Sequence, residues 1–163
     1  MTEKQQKKLE RAENWHKTFI KMALLVAEHS TCCRKQVGCL LVKDRVVIST
    51  GYNGVAKGQK HCNEIFSPEM MKKPTFMADH GAFSTRYELH AEQNAIAQVA
   101  KNETNPEGAI AYVTLSPCVN CAKLLIASGI KEVYYYEEYD RDTSGIELLK
   151  ECGVNVRQIK DLD

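Results

Sequence analysis

Metal-ligating side chains at two separated points constrain the fold of this chain more than any other feature. His90-Ala91-Glu92 is followed by Ser116-Pro117-Cys118-Val119-Asn120-Cys121. Cysteines three residues apart in the first turn of a helix point the same way, so Cys118 and Cys121 can share one ion where a helix begins at Cys118. The partial positive charge of a helix N-terminus lowers thiol pKa and favours the thiolates that zinc requires. Pro117 sits just before that turn, where its missing N–H costs nothing. His90 opens a second helix and supplies a third ligand. Three protein ligands leave a fourth position for water, the mark of a catalytic rather than a structural zinc. Glu92 is placed to reach that water, whose pKa zinc lowers to about 7, and to carry its proton. A structural clasp would use the same two cysteines, but it would add a fourth Cys or His and have no use for Glu92. The fold must therefore bring two helix N-termini together.

The other cysteines agree with this chemistry. Seven are present, an odd number that does not pair fully into disulfides, and in a cytoplasmic chain such a set points to metal or catalysis. The net charge of +1 lacks the basic excess of nucleic-acid binders and favours a small substrate with no nucleic-acid partner. No apolar run approaches the roughly 18 residues of a membrane span, and Met1 to Lys8 is charged rather than signal-like. The expectation is a cytoplasmic protein (host-cell cytoplasm if the source is viral), without a membrane partner, folded as one domain over residues 1–163.

Trp15, Phe19, Met22 and Val26 recur at helical spacing, so a helix is expected over about 12–29, with 1–12 a frayed tail or an extension of it. Val37–Val42 and Arg45–Thr50 read as strands joined by a turn at Lys43-Asp44. Residues 51–87 show no periodicity; with His61, Cys62 and His80 in it, the segment reads as a long loop tied down by metal. Beyond it, helices (90–102, 118–128, 144–152) alternate with strands (109–115, 132–136, 154–156), the pattern of a layered α/β sheet. Cys39 and Cys152 read as core residues, and His16 and His29 as helix-surface residues without partners.

The combined pattern is the H-x-E…P-C-x-x-C signature of zinc deaminases. Together with Gly51-Tyr52-Asn53-Gly54, His90-Ala-Glu-Gln-Asn-Ala-Ile96, Tyr112 to Ala122 and Ser128 to Val133, it resembles the deoxycytidylate (dCMP) deaminase family of the cytidine deaminase-like superfamily, from about Phe19 to Val156. Cys32-Cys33 and the insert over 55–88 are most similar to the bacteriophage branch. The resemblance implies a three-layer α/β/α sandwich with a mixed five-stranded sheet, assembled as a homohexamer. It implies hydrolysis of dCMP to dUMP and ammonia by a zinc-bound hydroxide, feeding thymidylate synthesis, with His90, Cys118 and Cys121 as zinc ligands and Glu92 as proton shuttle. Asn53, the Ala91 N–H, Ser116 and Tyr139 are the implied substrate contacts. Cys32, Cys62, His80 and Glu88 match a second zinc site, with Cys33, His61 and Asp79 as neighbours able to substitute. The family is typically activated by dCTP and inhibited by dTTP. Mg²⁺ is expected with the bound triphosphate because it commonly neutralises phosphate oxygens, and Arg34, Lys35, Gly51, Tyr52, Gly54 and Lys57 are the candidate triphosphate contacts. The rival readings are a transfer-RNA adenosine deaminase, another free cytosine nucleoside or nucleotide deaminase (dCTP included), and a zinc-stabilised interaction module without catalysis.

Overall fold

A computed structural model describes residues 1–163. Helix α1 spans Glu3–Ala27, and a hairpin of β1 (Gly38–Lys43) and β2 (Val46–Tyr52) follows it. The two-stranded ribbon β3 (Gly54–Val55) and β4 (Glu88–Leu89) brackets three helices: α2 (Cys62–Ile65), α3 (Pro68–Met71) and α4 (Phe76–Tyr87). The chain then runs α5 (Ala91–Lys101), β5 (Ile110–Leu115), α6 (Val119–Ala127), β6 (Glu132–Glu137), α7 (Ser144–Glu151) and β7 (Asn155–Gln158).

The main sheet is mixed and five-stranded, in the order β2-β1-β5-β6-β7. Central β5 pairs antiparallel with β1 and parallel with β6. Strand β1 is buried along nearly its whole length because both of its faces are covered. Leu40 and Val42 meet Phe19, Ile20 and Ala23 of α1, with Tyr112 and Tyr134, on one face. Cys39 and Leu41 meet Ala91, Ala95 and Val99 of α5, with Leu125 and Leu149 from α6 and α7, on the other. The result is the three-layer α/β/α sandwich.

Of the two readings of residues 1–12, the helix extension holds: α1 begins at Glu3, started by a capping box in which Gln5 N–H donates to Thr2 Oγ1 and Thr2 N–H to Gln5 Oε1. Other local readings are corrected. The hairpin turn is centred on Asp44-Arg45, both at positive φ (51° and 62°), one residue later than Lys43-Asp44. The segment over 51–87 is largely helical: α4 is held by an aromatic cluster in which Phe66 meets Phe76, Phe83 and His80. Cys152 is exposed, just past the end of α7, and is no core residue. His16 is half-buried and partnered: its Nδ1 lies 2.8 Å from the Tyr112 hydroxyl and its ring stacks on Tyr134 at 4.1 Å.

Burial pushes the pKa of His16 down, and Arg157 adds to this against the opposing pull of Glu13 and Glu132. The neutral ring is thus favoured in the folded state. As pH falls below the unfolded value of about 6.5, the unfolded chain takes up this proton first and the His16 contribution to stability is lost. The melting temperature is expected to fall between pH 7.5 and pH 5. His16→Asn, which keeps a polar partner for Tyr112 but cannot titrate, should remove that component. An identical pH profile in the variant would refute the assignment.

Candidate active site

The site forms where β5 ends and where β4 hands over to α5. His90 is the N-cap of α5, and its N–H donates to Gln93 Oε1 at 2.7 Å. Cys118 is the N-cap of α6, and Cys121 follows in the first turn. His90 Nδ1 stands 3.5 Å from Cys118 Sγ and 3.3 Å from Cys121 Sγ. Bond lengths to tetrahedral zinc of about 2.3 Å for sulfur and 2.0–2.1 Å for nitrogen set an S···N edge of about 3.5 Å, so the three atoms fit one zinc ion. Without a cation, hydrogen bonds from the Cys121 thiol and His90 hold the Cys118 thiol down at about 4. Its hydrogen bond with Cys118 pushes Cys121 up, and the bond to Cys118 likewise raises His90. One cysteine is therefore ready as thiolate.

Glu92 is 4% exposed, and burial raises its carboxyl pKa. It lines a cleft of about 670 Å³ together with His90, Ala91, Cys118, Ser116 and Asn53. The Asn53 amide spans two backbone partners: Oδ1 accepts from Val37 N–H and Nδ2 donates to the Lys35 carbonyl, each at 2.8 Å. It thereby fixes the Arg34-Lys35 segment at the cleft wall. Ser116 Oγ accepts from Tyr139 N–H at 2.8 Å and holds the loop after β6 over the cleft, where Tyr139 and Arg141 line it. Lys35 is paired with Glu137. Arg141 is a candidate that sequence reasoning missed; the available signal was a cation just after a strand that runs parallel to β5.

Of the candidate triphosphate contacts, Arg34 and Lys35 thus line the same cleft as Glu92. The other four lie elsewhere: Gly51 is buried in β2 against α5, Tyr52 is exposed and its carbonyl accepts from Asn94 Nδ2, Gly54 pairs with Leu89, and Lys57 is exposed beyond β3.

A second cluster borders the cleft. Ligand atoms of Cys32, Cys62, His80 and Glu88 lie within 4.8 Å of one another. Cys32 Sγ is 3.5 Å from His80 Nε2 and 3.8 Å from Glu88 Oε2. His80 Nδ1 and Glu88 Oε1 are buried without a hydrogen-bond partner. A buried carboxylate oxygen with no donor is costly unless a cation meets it, so the cluster suits a divalent metal. Cys33, His61 and Asp79 stay outside this group: Cys33 N–H donates to Cys62 Sγ, His61 Nδ1 lies 3.3 Å from Thr31 Oγ1, and Asp79 is in the first turn of α4.

Two helix N-termini presenting His-x-Glu and Cys-x-x-Cys on a mixed five-stranded sheet define a zinc-dependent deaminase. The profile for the cytidine and deoxycytidylate deaminase zinc-binding region matches residues 13–137, and the chain belongs to that family. It is 34% identical to the deoxycytidylate deaminase of Enterobacteria phage T2 over 90% of this chain and 93% of that protein. To the human deoxycytidylate deaminase it is 33% identical over 97% of this chain and 86% of that protein. The crystal structure of dCMP deaminase from the cyanophage S-TIM5 in complex with dCMP and dUMP superposes with a TM-score of 0.72 at 33% identity, covering 87% of this chain and 94% of that chain. No helix is long and apolar enough to cross a membrane.

Proposed function

We propose that the protein hydrolyses dCMP to dUMP and ammonia, with zinc held by His90, Cys118 and Cys121. The observation that carries this reading is the buried carboxyl of Glu92 in a cleft that also holds Arg34, Lys35 and Arg141. Zinc bound to the three ligands supplies a Lewis acid that makes water nucleophilic at neutral pH. The other roles belong to the chain. Glu92 takes a proton from the attacking water and delivers it to N3 of cytosine as the oxygen bonds to C4. It then carries the second proton to the departing nitrogen as the C4–N bond breaks. The Ala91 N–H, a first-turn donor of α5, holds the pyrimidine carbonyl. The second Nδ2 proton of Asn53 is available to the sugar. Tyr139 covers the base, and Arg34 and Arg141, with Lys35 held beside them by Glu137, meet the 5′-phosphate, which favours a nucleotide over a nucleoside.

A second, structural zinc on Cys32, Cys62, His80 and Glu88 is part of the proposal, supported by the closeness of the four ligand atoms and by the buried Glu88 Oε1 that no donor meets. So are activation by dCTP and inhibition by dTTP, each bound with Mg²⁺, and a homohexamer whose quaternary states the two effectors bias in opposite directions. The product feeds thymidylate synthesis, and the setting is the cytoplasm. Kinship with deoxycytidylate deaminases supports these parts. Ammonia release is measured from dCMP, dCTP, cytidine and a transfer-RNA anticodon stem. Turnover of dCMP is expected, with a half-saturation that dTTP raises and dCTP restores. Preference for cytidine or the RNA stem overturns the substrate. Hyperbolic kinetics unmoved by either triphosphate overturn the regulation alone.

A further inference from the structure

We propose that Gly51 and Gly145 are positioning residues for the catalytic metal ligands, each setting the place of one ligand-bearing helix N-terminus. The inference rests on reading His90, Cys118 and Cys121 as a metal site. A Cβ at Gly51 of β2 would stand 2.2 Å from the Ala91 carbonyl oxygen and 2.5 Å from Ala95 N. A Cβ at Gly145 of α7 would stand 2.0 Å from the Pro117 carbonyl oxygen and 2.7 Å from the Cys118 carbonyl carbon. All four obstacles are backbone atoms, so no side chain can rotate out of the way. Neither glycine has a positive φ, so their conformation is open to any residue and the space alone selects glycine.

The two contacts are complementary. Gly51 presses on the first turn of α5, beside His90, and Gly145 presses on the turn that carries Cys118. Opening a 2.0 Å contact even to 3.0 Å moves one turn by about 1 Å. Metal–ligand distances tolerate about 0.2 Å, so a single methyl at either position separates the imidazole from the thiolates. Gly38 provides an internal comparison. Its Cβ would stand 2.1 Å from the Ala23 carbonyl oxygen of α1, an equally severe contact on the layer away from the site.

The test reads the site itself. Chain cut after lysine and arginine yields the peptide 102–123, which holds Cys118 and Cys121 and no other cysteine. Alkylation of that peptide is followed by mass spectrometry in a series of buffered free Zn²⁺ concentrations. In Gly51→Ala and Gly145→Ala the concentration giving half-protection is expected to rise about 10- to 100-fold. In Gly38→Ala it should stay at the wild-type value, and protection of Cys32 and Cys62 should be unchanged in all three. Ile146→Val disturbs the α7 seat more gently and covers the case in which Gly145→Ala does not fold. It is expected to raise half-protection by a smaller factor, with Ile20→Val of α1 showing none. Unchanged half-protection in the Gly51 and Gly145 variants, or an equal rise in Gly38→Ala, overturns the proposal. A wild-type chain whose Cys118 and Cys121 zinc never protects overturns the metal reading beneath it.

Discussion

Glu92→Gln is expected to lower turnover of dCMP by about 10²–10⁴-fold, the range assigned to a lost general acid–base group. Zinc content and fold should survive. The amide has nearly the same shape, Glu92 is not one of the three clustered ligands, and burial already disfavours its charge. Glutamine can hydrogen-bond a water but cannot take its proton, so the loss should fall on kcat more than on KM. Steady-state kinetics beside metal analysis decide the matter. Near-normal turnover by zinc-loaded Glu92→Gln would remove the residue from the chemistry.

The second large effect belongs to the other cluster. Cys32→Ser or His80→Ala is expected to cost each chain one of two zinc ions while the zinc on His90, Cys118 and Cys121 remains. A ligand that binds only the folded chain contributes about 4 kcal/mol at a thousandfold excess over its Kd. For a chain of this size that corresponds to a fall in melting temperature of about 8–16 °C. Activity should fall less than stability, because Glu88 is separated from His90 by Leu89 alone but does not share its ion. Metal analysis and thermal unfolding of wild type and variants test this. One zinc per chain in fully active wild type would defeat the two-site reading.

The proposed metal ligands and Glu92 were legible in the sequence because metal chemistry tolerates few residue types and helix starts fix their spacing. His90, Cys118 and Cys121 cluster at two helix N-termini, and Glu92 lines the same cleft. Strand and helix alternation after residue 90 was legible for a local reason, since Gly129 and Gly153, both at positive φ, close α6 and α7 as glycines commonly do. Helix α4 was not legible. Phe76 to Tyr87 contains Gly81 and a weak apolar stripe, and it depends on the aromatic contacts of Phe66, which only the fold brings near. His16 escaped for the same reason, because its partners Tyr112 and Tyr134 lie on strands far along the chain. Arg141 was hidden in a run of acidic and aromatic residues, and its place at the cleft comes from the loop that Ser116 holds.

The pairing of β1 with β5 has a consequence for how the molecule is made. The other three main-sheet pairings join near neighbours in sequence: β1 with β2 across a two-residue turn, and β5, β6 and β7 through single helices. Only the Cys39–Val113 seam closes a long stretch of chain. Helix α5 packs on β1 and β2, while α6 and α7 pack on each other, so His90 arrives with one half and Cys118 with the other. Long-range closure is the slow event in folding, because the chain loses its freedom before the contacts reward it. A partly folded chain therefore has half a metal site on each side of an open seam. Zinc can be captured by all three ligands only after the two halves have joined, so acquisition of the metal reports that the seam between β1 and β5 has closed.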